Sequence, residues 1–498
     1  MNAPAPYPRL VESLKRLGHL GSVQSVLSWD EQVNLPPESA EFRGRQSAYL
    51  SDLLHREFTD PELGEQIAAA EAIAEELDPP SQAVVREARK NFDLDAKLTG
   101  DFIQRRSIAQ SRAFHAWVSA RKESNFEAFA PLLQEQLDLS LEMAELCGRT
   151  DDPYDFFVDQ FDPGMDSATI DSLFGALRSE LLPIVDSIVN SGVKPRDKEL
   201  VGFDIAKQEI FLREVVEKLG FNFGKGRLDR SVHPFCGGSG QDTRMTTRFL
   251  EDLPLSSLFG SIHETGHGLY EQGLPVEHFG TALGDHIGMA VHESQSRMWE
   301  NQIGRSRAFW SLWEPRYREL FGEELKAFDS DALYLAINAV GVSPIRVESD
   351  EVTYNLHIML RFSIERRLFN GELAVKDLPD AWAALSEDLL NYTPKNHAEG
   401  VLQDVHWSGG MFGYFPSYCL GNILAAQIWY TVKEEIPDLE DQFAAGNFQS
   451  ILDWMRNHVH SLGKQFYTQD LAEKVTGKRL HIDPLIRYLK ERYLPLYQ

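Results

Sequence analysis

The sequence predicts a mainly α fold, and three observations carry that expectation. Long stretches place apolar residues at helical spacing, helix-stopping residues bracket them, and no regular alternation of short strands with helices appears. The last observation argues against a doubly wound parallel sheet.

In chain order, "PELGEQIAAAEAIAEELDPP" at 61–80 is rich in the helix formers Ala and Glu and stops at Pro79-Pro80. In "DSATIDSLFGALRSELLPIVDSIVNSG" at 166–192, Ile170, Leu173, Phe174, Leu177, Leu181, Ile184, Val185 and Ile188 keep helical spacing, and Gly192 ends the pattern. The stretch "RSVHPFCGGSGQDTRMTTRF" at 230–249 differs. Its β-favouring Val232, Thr246, Thr247 and Phe249 among glycines predict a small antiparallel ribbon. Gly237, Gly238 and Gly240 lack the Gly-Lys-Ser/Thr ending of a phosphate loop, so they are read as tight-turn residues. "EVTYNLHIMLRFSIERRLF" at 351–369 returns to helix through Val352, Leu356, Leu360 and Ile364. No internal repeat or low-complexity linker marks a domain boundary.

A chain of 498 residues can bury a large core, as one multi-lobed unit or as two to three domains. Its 43% hydrophobic and 25% charged residues are those of a folded globular protein. With 76 acidic against 49 basic residues, the formal charge of -27 repels nucleic acid and anionic membrane surfaces. The start "MNAPAPYPRLVESLKRLGHLG" has no apolar run of signal-peptide length and no later stretch has the length of a membrane span, so a cytoplasmic protein is expected. Cys147, Cys236 and Cys419 are odd in number and far apart, which fits buried thiols better than a disulfide framework or a Cys-rich zinc site.

The chemistry concentrates in "SIHETGHGLYEQG" at 261–273. On a helix, His263 and His267 lie one turn apart and offer imidazole nitrogens to one ion. Glu264 then stands beside that ion without occupying it. This is the H-E-x-x-H arrangement, in which the glutamate acts as general base toward a metal-activated water. A catalytic zinc takes three protein ligands, and "TALGDHIGMAVHESQSRMWENQ" at 281–302 offers Asp285, His286, His292, Glu293 and Glu300. Spacing alone does not choose among them. If 285–300 is helical, Glu293 and Glu300 share a face two turns apart, and Glu293 is also placed for an i,i+4 ion pair with Arg297.

Several motifs in order narrow the choice. "HETGHGLYEQGLP", "HIGMAVHESQSRMWENQIGRSRAFW", "HPF" at 233–235, D-x-R-x-T at Asp242, Arg244 and Thr246, and "GVLQDVHW" at 400–407 together resemble the thermostable (Taq-type) metallocarboxypeptidase family, peptidase family M32, of the gluzincin type. "SWDEQVNLPP" and "PYDFFVDQFDPGM" also resemble family segments, so the likeness spans nearly the whole chain. One departure is Ser349, which stands where the I-R-x-x-A-D pattern has alanine; serine is small and a good helix N-cap.

The resemblance implies a helical zincin-like metallopeptidase forming one catalytic unit over 1–498, with two lobes around a deep cleft. Residues 1–150 would cap the cleft, 225–300 would supply the β ribbon and metal-binding helices, and 340–420 would bind substrate. It implies Glu293 as third ligand, 293 - 267 = 26 residues after His267, and one divalent ion, zinc first, with cobalt or manganese as alternatives. It implies removal of single residues from the carboxyl ends of peptides and a homodimer, while the acidic charge and the lack of an apolar span lead to the expectation of no nucleic-acid or membrane partner. Such a reaction needs an oxyanion donor, for which Tyr414 is the first candidate and Tyr418 the second. It also needs a cation for the substrate's terminal carboxylate, and the forked guanidinium of Arg346 suits it, unless Glu348 or Asp350 engages it. His233 and His406 are candidate donors to substrate carbonyls, while Asp242, Arg244 and Arg297 are expected to brace the site. Two other readings use the same residues: an oligoendopeptidase or dipeptidyl carboxypeptidase, and a non-catalytic metal-containing binding protein, for which Glu264 would be superfluous.

Overall fold

Proline and aspartate set where the helices begin. The computed structural model describes residues 5–231 and 233–498, so Val232 lies outside the described residues. Asp60 Oδ1 accepts from the Glu62 amide at 2.8 Å and Pro61 opens the helix Pro61–Glu71. That helix ends eight residues before Pro79-Pro80, which instead open the next helix, Pro79–Lys97. Proline tolerates the first helical turn because its missing N–H would have no partner there. Asp166 caps Ser167–Val189 through the Thr169 amide at 2.7 Å, and Ile170, Phe174, Leu177, Leu181, Ile184, Val185 and Ile188 are buried on it as the spacing predicts. Twenty α-helices and three strands occur among the described residues, a mainly α fold. No helix among them is long and apolar enough to cross a membrane.

The chain divides into two compact units. The first holds the described residues up to Ala96 with Asp197–Ile337 and Ile428–Gly477. The second holds Lys97–Arg196, Asn338–Gln427 and Lys478–Gln498. The segment 1–150 is therefore shared at residue 96, while 225–300 falls wholly in the first unit and 340–420 wholly in the second. Within the first unit, Leu10, Leu17, Leu63, Ile67, Ala70, Val85 and Ala88 pack as one apolar cluster.

The ribbon is a three-stranded sheet in the first unit, in the order β1 (Gly226–Arg230), β3 (Asp242–Thr247), β2 (Phe235–Ser239). The β2–β3 pair is antiparallel, as the sequence predicts, with Cys236 opposite Met245. The third strand was not foreseen, and it corrects the purely antiparallel reading: β1 runs parallel to β3, with Leu228 opposite Met245. Because β2 itself carries the chain back, no long crossover is needed to make that parallel pair. Gly238 sits at φ +115°, where a Cβ would stand 2.0 Å from the Asp242 carbonyl oxygen. Only glycine fits that close turn.

In the second unit, the helix Tyr354–Phe369 is buried on nearly all sides. It carries Arg361 and Glu365 among Leu356, Ile358, Leu360, Phe362 and Ile364. Ionic groups placed there require partners.

Candidate metal centre and active site

Two helices of the first unit build the centre. The motif helix, Pro254–Gly273, buries Leu258, Phe259, Ile262, Leu269 and Tyr270, and its Ser261 Oγ donates to Thr247 Oγ1 of β3 at 2.7 Å. The ligand helix, Met289–Arg297, continues into a π-helical segment, Met298–Ile303. Gly266, inside the pentapeptide, is where the two helices touch: a Cβ there would lie 2.5 Å from Ser296 Cα and 2.7 Å from the Gln295 carbonyl oxygen. The glycine lets the two backbones approach and so brings Glu293 to the histidines.

His263 Nε2 and His267 Nε2 are 3.2 Å apart, and Glu293 Oε2 lies 3.7 and 3.6 Å from them. A tetrahedral ion with bonds of about 2.0–2.1 Å separates its ligand atoms by roughly 3.3 Å. The three donors thus fit one divalent ion of zinc's size, and the His/His/carboxylate set leaves the remaining position of a tetrahedron free. Glu293 also makes the ion pair that its spacing allows, since its other oxygen, Oε1, accepts from Arg297 Nε at 2.6 Å.

The orienting groups fix the imidazole tautomers. His263 Nδ1 donates to Glu300 Oε2 at 2.9 Å, leaving Nε2 as a lone pair for the ion. Arg297 Nη1 reaches the same Glu300 oxygen at 3.2 Å. Burial pushes the Glu300 carboxyl up, but Arg297 and His263 outweigh it and bring it down to about 2. On the other side a chain of three groups supports His267. His267 Nδ1 and His292 Nδ1 are 2.5 Å apart, and His292 Nε2 lies 2.9 Å from Glu271 Oε1. With His267 Nε2 kept for the ion, His267 donates to His292, and His292 donates to Glu271.

Glu264 is 7% exposed, and burial pushes its carboxyl up to about 7, with Glu293 and Glu300 adding to the rise and His263 opposing it.

In the second unit, "GVLQDVHW" organises a different cluster. Arg346 is 5% exposed, and its partner is neither Glu348 nor Asp350. Its Nε and Nη2 donate to Asp404 Oδ1 at 2.9 and 2.7 Å, and Nη1 donates to Tyr354 Oη at 2.8 Å. Asp404 Oδ2 accepts from Arg361 Nε at 2.7 Å, so two guanidiniums share one carboxylate and the group carries a net positive charge. Gln403 Oε1 accepts from the Arg346 amide at 2.9 Å, and Trp407 Nε1 donates to Glu365 Oε1 at 2.7 Å. The Arg346 guanidinium lies over Tyr418 at 5.0 Å, His406 Nε2 is 3.4 Å from Tyr418 Oη, and the Tyr414 and Tyr418 rings are 5.2 Å apart. Burial, then Arg346, bring His406 down to about 3, which keeps it neutral, and its Nδ1 has no partner among the described residues. Ser349 is not an N-cap: Asp350 Oδ1 takes the Val352 and Thr353 amides at 2.8 and 3.0 Å, and Ser349 Oγ shares a hydrogen bond with Thr353 Oγ1 at 2.8 Å.

The structure thus groups His263, Glu264, His267 and Glu293 in the first unit and Arg346, His406, Tyr414 and Tyr418 in the second. His233 is exposed in the first unit, where its carbonyl accepts from Ser231 Oγ at 2.6 Å. Asp242 takes both Arg244 Nε and Nη2 at 2.9 Å, and Arg244 and Arg227 lie over Trp29 of "SWDEQ" at 4.4 and 4.6 Å. Sequence reasoning weighed Glu300 and His292 only as ligands and passed over Glu271.

Residues 9–493 match the family described as Carboxypeptidase Taq (M32) metallopeptidase. The chain is 40% identical to thermostable carboxypeptidase 1 of Thermus thermophilus over the whole of both chains. It is 35% identical to carboxypeptidase 1 of Bacillus subtilis, covering 97% of each. Among solved structures, the M32 carboxypeptidase of Deinococcus radiodurans superposes with a TM-score of 0.95 at 37% identity, covering 99% of each chain.

Proposed function

We propose, from the premise that the chain belongs to the Carboxypeptidase Taq (M32) metallopeptidase family and is a metallocarboxypeptidase, that it removes single residues from the carboxyl ends of peptides with Glu264 as general base. Family membership brings peptide substrates and a divalent ion. The observation that carries the finer reading is the convergence of His263 Nε2, His267 Nε2 and Glu293 Oε2 within 3.7 Å of one another, with Glu264 buried next to His263. Zinc suits this donor set, and cobalt or manganese are its alternatives. When bound, such an ion supplies Lewis acidity toward a water molecule and the scissile carbonyl.

The chain's own groups do the rest. Glu264 takes a proton from the attacking water and returns it to the leaving amine nitrogen. Glu300 and the His292–Glu271 chain hold the two imidazoles in the ligating tautomer. Tyr414, with Tyr418 second, donates to the oxyanion, and His233 and His406 donate to substrate carbonyls. Arg346 supplies the positive charge for the terminal carboxylate: with Arg361 against Asp404 alone, the cluster keeps one cationic charge in excess. We further propose that the chain is cytoplasmic and forms a homodimer; light scattering tests the dimer.

The deciding experiment is mass spectrometry over time on peptides offered as free acids and as carboxyl-terminal amides, with wild type and Glu264→Gln, metal content assayed for each. A ladder losing one residue at a time from the free acid alone, abolished in metal-loaded Glu264→Gln, is expected. Equal cleavage of the amide would exclude recognition of the terminal carboxylate. Internal cuts would indicate an oligopeptidase.

A further inference from the structure

A second set of metal-capable donors lies beside the catalytic one. Glu271, His286 and His292 each offer one atom, all within 4.8 Å of one another, and Glu271 and His292 are buried. Glu271 Oε1 faces both imidazoles, at 2.9 Å from His292 Nε2 and 3.8 Å from His286 Nδ1. Asp285 Oδ1 is 3.2 Å from His286 Nδ1 and stands as a further oxygen donor. Lys464 Nζ is 3.9 Å from the other Asp285 oxygen. The donor chemistry repeats that of His263, His267 and Glu293: two imidazoles and one carboxylate.

We propose that Glu271, His286 and His292 form a second, weaker site for a zinc-like divalent cation, and that filling it opposes the catalytic ion. The inference rests on the placing of the catalytic ion at His263, His267 and Glu293. The opposition follows from hydrogen positions. With the catalytic ion on His267 Nε2, a neutral His267 keeps its proton on Nδ1 and gives it to His292 Nδ1, 2.5 Å away. His292 then carries its own proton on Nε2, toward Glu271. A cation taken by His292 Nε2 displaces that proton to Nδ1. Two N–H groups would then point at each other across 2.5 Å, so the link must open and His267 loses the imidazole that helps to orient it. Coupling between sites is reciprocal, so a bound catalytic ion weakens the second site by the same factor, ordinarily between about 5 and 150. At excess zinc both sites fill, so inhibition comes from the doubly loaded enzyme, in which His267 is no longer held by His292, and not from loss of the catalytic ion.

The test is equilibrium dialysis of the full chain against radioactive zinc, with peptide hydrolysis followed on the same samples, for wild type, His286→Ala, His286→Asn and His263→Ala. The His286 side chain is 33% exposed, which makes its truncation tolerable to the fold, and the asparagine variant guards against loss of folding. Wild type should bind two ions, the second more weakly, and lose activity as the second binds. Both His286 variants should bind one ion, keep the basal rate and resist excess zinc. His263→Ala should lose the tight ion and bind the remaining one more tightly than wild type binds its second, by about 5- to 150-fold. A wild-type stoichiometry fixed at one, or equal inhibition of the His286 variants, overturns the second site. A tight ion retained by active His263→Ala would instead overturn the placing of the catalytic ion.

Discussion

Asp404→Asn should be the most costly single change of a carboxylate in the second unit. Asp404 Oδ1 accepts two bonds from Arg346 at 2.9 and 2.7 Å, and Oδ2 accepts from Arg361 Nε at 2.7 Å with Nη2 at 2.5 Å. The side chains of Arg361, Arg346 and Asp404 are 0, 6 and 8% exposed, so solvent does little to screen them. The amide can serve one guanidinium but turns an N–H toward the other, and the local charge rises from +1 to +2. Breaking a buried pair by removing one partner costs about 3–5 kcal/mol, and here one carboxylate serves two cations, which places the loss at the upper end, about 4–5 kcal/mol. Urea unfolding followed by circular dichroism measures it. Adding Arg361→Met should recover most of the loss, because it removes the surplus cation. Burial raises the Asp404 pKa, but Arg346 and Arg361 dominate and hold it far below the usual carboxylate range. A depressed folded pKa gives stability that is present above the unfolded value, about 3.9, and is lost only as pH falls through the folded one. The gap between wild type and variant should thus be constant from pH 5 to pH 8, roughly, and narrow only in stronger acid. A loss below about 1 kcal/mol, the level of a surface ion pair, would refute the reasoning.

Glu300→Gln removes the carboxylate that orients His263 and should weaken metal binding by about 10- to 100-fold, read by competition with a chromophoric chelator. Gly266→Ala forces a Cβ to within 2.5 Å of the Ser296 backbone and should cost about 1–3 kcal/mol, with metal affinity lowered alongside; an unchanged melting temperature would contradict the close helix approach. Glu365 is pushed up to about 7 by burial, against donors from Trp407, Gly413 and Tyr154, whose hydroxyl can turn to accept from the protonated acid. A raised folded pKa gives stability that is full below the unfolded value and lost as pH rises through 7, so wild type should lose on the order of 3 kcal/mol between about pH 4.5 and 7 relative to Glu365→Gln. Parallel stability curves for the two proteins would exclude that shift.

What was legible in the sequence was what local periodicity encodes. His263 and His267 required only a helix of ordinary pitch, and the helix over 166–192 only its apolar stripe. Contacts across elements were not legible in the same way. Glu293 was one of several candidates until the order of motifs singled it out, because nothing in the 25 intervening residues says that two helices meet at Gly266. The true partner of Arg346 is Asp404, 58 residues away, whereas sequence reasoning weighed Glu348 and Asp350 because only neighbours are visible along a chain. β1 was missed because "GRLDR" has three charged residues in five and no β-branched one, and its pairing comes from β3 rather than from its own propensity. The π-helical turn at Met298–Ile303 escaped for a related reason: six residues are too few to distinguish its wider pitch from that of an α-helix. Yet Glu300 lies in that turn and Glu293 in the α-helix before it, so the change of pitch sets how far Glu300 swings from Glu293. One carboxylate faces the Nε2 atoms of His263 and His267 and the other faces the back of His263, and Arg297 between them holds both. Local pattern placed the two histidines on one helix, and a tertiary change of pitch placed the carboxylate that aims one of them.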